Sequence, residues 1–201
     1  MNNKNFLAID TSSRHLTVLA KKGEKIALNF IKDCALSHSV TLMGEIDKAM
    51  SEINLTPAEC DFFSAVTGPG SFTGIRIGIA TAKGLAMGAG KKLLAVTAFD
   101  LLAYNIQCLN FCAVVDAAHG HYYAAVYKNG ECVLNPCYMS EEEVNNLNLP
   151  VFVYEDLNLN SYTKLDVKNL LYPAICAVER PLTDDISALY VRKSQAEEGR
   201  K

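Results

Sequence analysis

The stretch FLAIDTSSRHLTVLA, residues 6–20, decides the fold. Phe6 to Ile9 is an unbroken apolar run, as in a strand buried on both faces. Asp10-Thr11-Ser12-Ser13 is a polar turn, and Leu16 to Ala20 predicts a second strand. Lys21-Lys22-Gly23-Glu24 then turns the chain into a third, Lys25 to Ile31. About 105 positions further on the unit returns. Phe111 to Asp116 is an apolar strand ending in aspartate, Ala117 to Gly120 a turn, and His121 to Tyr127 a strand. Asn129-Gly130 is a two-residue hairpin signal that leads into Glu131 to Met139. Two copies of strand–aspartate–turn–strand–turn–strand predict an α/β protein of two similar lobes, residues 1–105 and 106–201. No low-complexity linker separates them, so the lobes are expected to share an interface.

Between the repeats the chain alternates helix and strand. Ser37 or Ser39 can cap a helix with Val40, Met43, Ile46 and Met50 at helical spacing, and Pro57 ends or restarts that region. Asp61 to Thr67 reads as a strand, and Gly68-Pro69-Gly70-Ser71-Phe72-Thr73-Gly74 leads into a helix from Thr73 to Met87. Gly88-Ala89-Gly90 stops it. Leu93 to Thr97 follows as a strand and Ala98 to Cys108 as a helix. In the second half, Ser140 and Glu143 form a capping box, Val151 to Tyr154 a short strand, and Asn158 to Asn160 a loop. Lys164 to Cys176 is ambiguous, and the charged tail beyond Ala188 is expected to be loose.

Half of the 201 residues are hydrophobic and a fifth are charged, an ordinary globular composition able to build a core. The net charge is −3 and the pI about 5.8. A protein that grips a nucleic acid by itself shows a basic surface, because phosphate contacts dominate such binding. Any role near RNA is therefore expected to be indirect. The N-terminal MNNKNFLAID is not a signal peptide, since Asp10 interrupts its short apolar run, and no segment has the length of a membrane span. The seven cysteines include no C-x-x-C pair and read as reduced, small hydrophobes of a cytoplasmic protein.

Three segments are candidates for chemistry or recognition. Asp10-Thr11-Ser12-Ser13, with Asp116 in the matching place of the second repeat, has the residue types that cradle a phosphate or hold a metal. The same residues make a polar turn with no ligand at all. Gly68 to Gly74 is a strand–loop–helix junction whose helix N-terminus could meet an anion, or a shaped structural turn; it is not a Walker A loop. The following helix carries two smooth stripes, Gly74-Gly78-Ala82-Ala86 and Ala80-Gly84-Gly88. One stripe can pack on its own sheet, and the other can bring a second helix close, from this chain or from another. His119-Gly120-His121 lacks a nearby carboxylate and is a weak metal candidate, so no metal site is assigned.

In order and spacing, AIDTSSRHLTVLA (8–20), SHS (37–39), TGPGSFTGIRIGIATAKGLA (67–86), VVDAAHGHYYAAVY (114–127) and ALYVRKSQAEE (188–198) resemble the TsaB (YeaZ) family. The resemblance implies an actin/Hsp70/sugar-kinase-like fold, with a trimmed second lobe because the chain is short for the family. It also implies a non-catalytic partner subunit in the synthesis of threonylcarbamoyladenosine on tRNA. The implied partners are a TsaD-type catalytic subunit, a TsaE-type ATPase and, in their absence, a second copy of the chain. tRNA would be reached through the complex, and no cofactor is implied for this chain beyond ATP or ADP at the complex interface. Carried over, the partner-contacting helix includes Thr73, Arg76, Ile79, Ala80, Lys83, Gly84 and Met87, and Asp10, Thr11, Ser12, Ser13 and Asp116 become a vestigial phosphate turn. The paired-histidine metal motif of the catalytic relative is missing, since His38 has Leu42 four positions on. Val40 stands where the family usually has glutamate, and Ala118 where it often has arginine. The alternative is an ATP-using transferase or kinase of the same fold acting through Asp10 and Asp116. A peptidase ranks below it, for want of a nucleophile–base pair.

Overall fold

The computed structural model describes residues 3–191. Strands β1 (Phe6–Asp10), β2 (Leu16–Lys22) and β3 (Lys25–Ile31) are followed by helix α1 (His38–Glu52), and then by β4 (Phe62–Val66), α2 (Phe72–Ala89), β5 (Lys92–Val96) and α3 (Ala98–Ala103). The second half holds β6 (Asn110–Asp116), β7 (His121–Lys128), β8 (Glu131–Ser140), α4 (Glu141–Asn146), β9 (Val151–Val153), β10 (Thr163–Lys164) and α5 (Leu171–Ala177). The first sheet has the order β3-β2-β1-β4-β5 and the second, read in the same sense, β8-β7-β6-β9-β10. In each, the first three strands pair antiparallel, and the fourth and fifth add in parallel. This is the duplicated actin-like fold.

The apolar runs are continuous because both faces of each sheet are covered. Phe6 and Ala8 of β1 point into a central core between the two sheets, while Leu7 and Ile9 point to the opposite side, under α1 and α2. In β6, Phe111, Ala113 and Val115 enter the same central core, and Cys112 and Val114 face α4. Helices α3 and α5 pack against each other within the central layer. They are pinned by the Asn105 side-chain amide, which donates to the Leu101 and Leu170 carbonyls at 2.9 and 3.0 Å. Asp100 caps α3 and also pairs with Arg180, so one carboxylate ties the end of the second sheet's helix to the first sheet.

Several expectations are corrected by packing. The helix predicted to Cys108 ends at Ala103, where Asn105 turns back onto Leu101. Helix α1 is rotated from the expected phase: His38, Leu42, Ile46, Ala49 and Met50 are buried, whereas Val40 and Met43 face solvent. Ser37 does not cap it; its hydroxyl donates to the Cys34 carbonyl instead. The ambiguous Lys164–Cys176 region resolves into the end of β10, a 3-10 turn and most of α5. The second lobe was expected to run to the C-terminus, but the chain returns to the first lobe. Thr183 bridges Leu93, Ile186 enters the core beneath α1 and α2, and the Leu189 amide donates to the Thr67 carbonyl at 2.8 Å. Of the tail expected to be loose, Leu189 and Tyr190 are therefore tied down, and residues 192–201 lie outside the described residues. Among the described residues, no helix is long and apolar enough to cross a membrane, and all seven cysteines are free thiols.

Helix α2 is placed by what it lacks. A Cβ on Gly74 would overlap the Thr11 carbonyl, and one on Gly78 would lie 2.5 Å from Thr11 Oγ1. Glycine at both lets the helix lie directly on the β1–β2 turn. At Gly84 an added Cβ meets nothing within 4 Å. Gly74→Ala should therefore cost about 1–3 kcal/mol of stability through overpacking, and Gly84→Ala should gain about 0.5–1 kcal/mol from helix propensity. Urea unfolding of both variants checks the pair; shifts of the same sign would refute this placement of α2.

Candidate functional site

The turn after β1 is a closed hydrogen-bonded unit. Asp10 Oδ1 accepts from the Ser12 amide at 2.8 Å and from the Ser12 hydroxyl at 2.7 Å. Ser13 Oγ accepts from the His15 amide at 3.0 Å. The Thr11 hydroxyl donates to the Gly74 carbonyl at 2.6 Å, and the Ser71 amide donates to the Ser12 carbonyl at 2.7 Å. All four residues Asp10 to Ser13 are buried. Burial raises the Asp10 carboxyl above its ordinary value, partly offset by the two Ser12 donors.

Asp116 occupies the equivalent end of β6 and does the same local work: its Oδ1 accepts from the Ala118 amide at 2.9 Å. Unlike Asp10 it is exposed, and it lines a cleft of about 380 Å3 between the lobes together with Ser12, Ser13, Gly70, Ser71 and Glu155. The structure thus brings the two strand-end regions to one cleft, but Asp10 itself is turned inward to its own loop. Sequence reasoning missed Glu155, which follows β9 and reaches the turn: its Oε1 accepts from the Arg14 amide at 3.2 Å and lies 3.4 Å from Arg14 Nε. No local pattern marks a contact across that sequence separation.

The loop from Gly68 to Gly74 joins β4 to α2 through a cis Gly68–Pro69 peptide. Ser71 caps the helix, its hydroxyl accepting from the Gly74 amide at 3.2 Å, and Gly90 ends it in the left-handed conformation. Gly74, Gly78, Ala82 and Ala86 are buried against the first lobe, and Ala80, Gly84 and Gly88 are exposed. Of the residues assigned to a partner face, Thr73, Arg76, Ala80, Gly84 and Met87 are exposed, and Met87 is 84% accessible. Ile79 is corrected: it is 7% exposed and belongs to the core under α1 and α2. Lys83 is half-buried and paired with Asp185. Arg76 lies 3.7 Å above the Phe72 ring and donates to the Tyr190 hydroxyl at 3.0 Å, so the returning chain fixes its direction.

Leu36, just before α1, and Val40 and Met43 on α1 are also open to solvent, and α1 packs on the same side of the first sheet as α2. His38 points the other way. It is buried, and its Nε2 meets the His15 carbonyl at 3.1 Å, while Leu42 fills the core. Among the described residues, no group of three or more His, Cys, Asp or Glu side chains is arranged to hold a metal ion.

Comparisons with known proteins agree with this architecture. The family model described as "TsaD: tRNA N6-adenosine threonylcarbamoyltransferase" matches residues 32–173. The tRNA threonylcarbamoyladenosine biosynthesis protein TsaB of Bacillus subtilis strain 168 is 30% identical over 128 residues, which is 62% of this chain and 56% of that protein. The chain's match thus spans about half the length of the curated relatives. A Pseudomonas aeruginosa crystal structure, described as an uncharacterized protein with similarity to peptidase YeaZ, superposes with a TM-score of 0.74 at 23% identity, covering 94% of this chain and all of that one. YeaZ from Pseudomonas aeruginosa superposes with a TM-score of 0.64 at 26% identity over 75% of each chain. The family model covers well over half of the chain, which therefore belongs to the TsaD-like family it describes, and within it the curated TsaB relatives and the solved structure named YeaZ assign the chain to TsaB (YeaZ).

Proposed function

We propose that this chain is a non-catalytic scaffold subunit in the formation of threonylcarbamoyladenosine on tRNA, and that it acts by presenting α2 to a TsaD-type catalytic subunit. The observation that carries this reading is the division of α2 into two small-residue stripes. One is buried, its Gly74 and Gly78 against the turn after β1 and its Ala82 and Ala86 in the core; the other, Ala80-Gly84-Gly88, is solvent-exposed, and a Cβ on Gly84 or Gly88 would touch nothing within 4 Å. Small residues let a second helix approach closely, and the exposed apolar groups Met87 on α2 and Val40 and Met43 on α1 supply area that is favourable to bury. Without the catalytic subunit the same face pairs with a second copy. A TsaE-type ATPase joins the assembly, with any ATP or ADP held at the complex interface, and tRNA is reached through the complex, in keeping with a net charge of −3.

The state of the turn supports a role without chemistry. An aspartate that serves a kinase or transferase must reach metal or substrate, whereas Asp10 is buried and satisfied by Ser12. This favours the scaffold over an ATP-using enzyme acting through Asp10 and Asp116.

Ala80→Phe should leave the folded chain as stable as the parent, because Ala80 is exposed, and weaken association with the catalytic subunit of the same organism by at least about tenfold. Light scattering and calorimetry measure both; undiminished binding by folded Ala80→Phe would mean the seam lies elsewhere. A second expectation concerns Asp10. The unfolded chain releases this proton near the ordinary value of 3.8, while the buried carboxyl holds it to higher pH. From that point upward the folded state binds more protons than the unfolded one, so this group's contribution to stability falls as pH rises, until the folded carboxyl has ionised. Asp10→Asn keeps the acceptor oxygen and removes the slope. Unfolding free energies of parent and variant, followed as the pH rises from the ordinary value of 3.8, should diverge; parallel curves would reject it.

A further inference from the structure

Several donors in and beside the turn after β1 already have acceptors. The Ser12 amide and hydroxyl serve Asp10, the His15 amide serves Ser13, and the Gly74 amide at the start of α2 serves Ser71. These acceptors all belong to the first lobe. The Arg14 amide is different: its acceptor is the Glu155 carboxylate, which comes from the second lobe just after β9. A carboxylate offers an amide what a phosphate does, a negatively charged oxygen at hydrogen-bond distance. The Glu155 side chain is only 14% exposed, and the Arg14 guanidinium faces the same oxygen at 3.4 Å. One side chain therefore brings its charge to the amide, the guanidinium and the cleft wall at once.

We propose that Glu155 is an internal anion that occupies the first lobe's turn, latching the two lobes together and keeping phosphate out of the cleft between them. The exclusion has two parts. The Arg14 amide is bonded to Glu155 and its Nε faces the same carboxylate, and a phosphate entering the cleft would face both Glu155 and Asp116, with Arg14 the single cationic lining residue among the described residues. The latch follows from connectivity, because Arg14 sits between β1 and β2 and Glu155 beyond β9, so the lobes cannot part without breaking this contact. It holds whether or not the exposed face of α2 takes a partner.

The test is a titration of the full chain with inorganic phosphate at constant ionic strength, followed through the amide signals of Ser12, Ser13 and Arg14. Glu155→Ala should bind phosphate at least about tenfold more tightly than the parent. An equal response of the two proteins, whether both bind or neither does, overturns the proposal. Glu155→Gln keeps the side-chain volume and an acceptor oxygen but loses the charge. It serves in the same titration if the alanine variant does not fold, and a response equal to the parent's again overturns the proposal. Hydrogen exchange reads the latch directly: the Arg14 amide should exchange at least about tenfold faster in Glu155→Ala than in the parent, and equal rates would refute it.

Discussion

Everything in the first lobe is arranged around the contact between the backbone of Thr11 and the glycine face of α2. A helix normally keeps its distance from a sheet because side chains stand between them. Here Gly74 and Gly78 remove those side chains, and the Thr11 hydroxyl reaches the Gly74 carbonyl at 2.6 Å. Each interior glycine costs a helix about 1 kcal/mol relative to alanine. The close approach offsets that cost with a buried hydrogen bond and with the large apolar residues that α2 can then bury, Ile75 and Ile79. With one face fixed in this way, the opposite face of the helix has no choice of direction and is presented to solvent.

The two lobes share a strand order but not a purpose. Between β4 and β5 the first lobe carries the 18-residue helix α2, whereas the corresponding connection from β9 to β10 contains no helix among the described residues. The outer face of the second sheet is covered by the short α4 and by loop residues such as Leu157 and Leu159. What the second lobe contributes is support. Its α5 fills the central core, its Glu155 reaches the first turn, and its C-terminal continuation runs back along the first sheet to place Tyr190 on Phe72 and Arg76.

Strands were legible where both faces are buried, because an apolar run such as Phe6 to Ile9 or Phe111 to Val115 has few other uses. The duplication was legible for the same reason, and both small-residue stripes could be read from their four-residue spacing. Their allotment, one inward and one outward, required the turn to be placed against Gly74. The phase of α1 was misread because Val40 and Met43 are as apolar as the buried Leu42 and Ile46, so composition alone could not say which side meets the sheet. The length of α3 was overestimated because its end is set by Asn105 bonding to Leu170, a partner far along the chain. Glu155, Arg180 and Tyr190 act through contacts of this kind, and a linear reading has no handle on them.

The asymmetry of the duplication also sets a valency. A molecule whose two lobes each displayed such a helix could bind head to tail without limit, as repeated heterologous contacts build filaments. This chain carries one long helix with an open small-residue side, and the matching connection in the other lobe has none. With α2 as the partner face of the proposed function, a subunit of that kind is monovalent through this surface and closes an assembly rather than extending it.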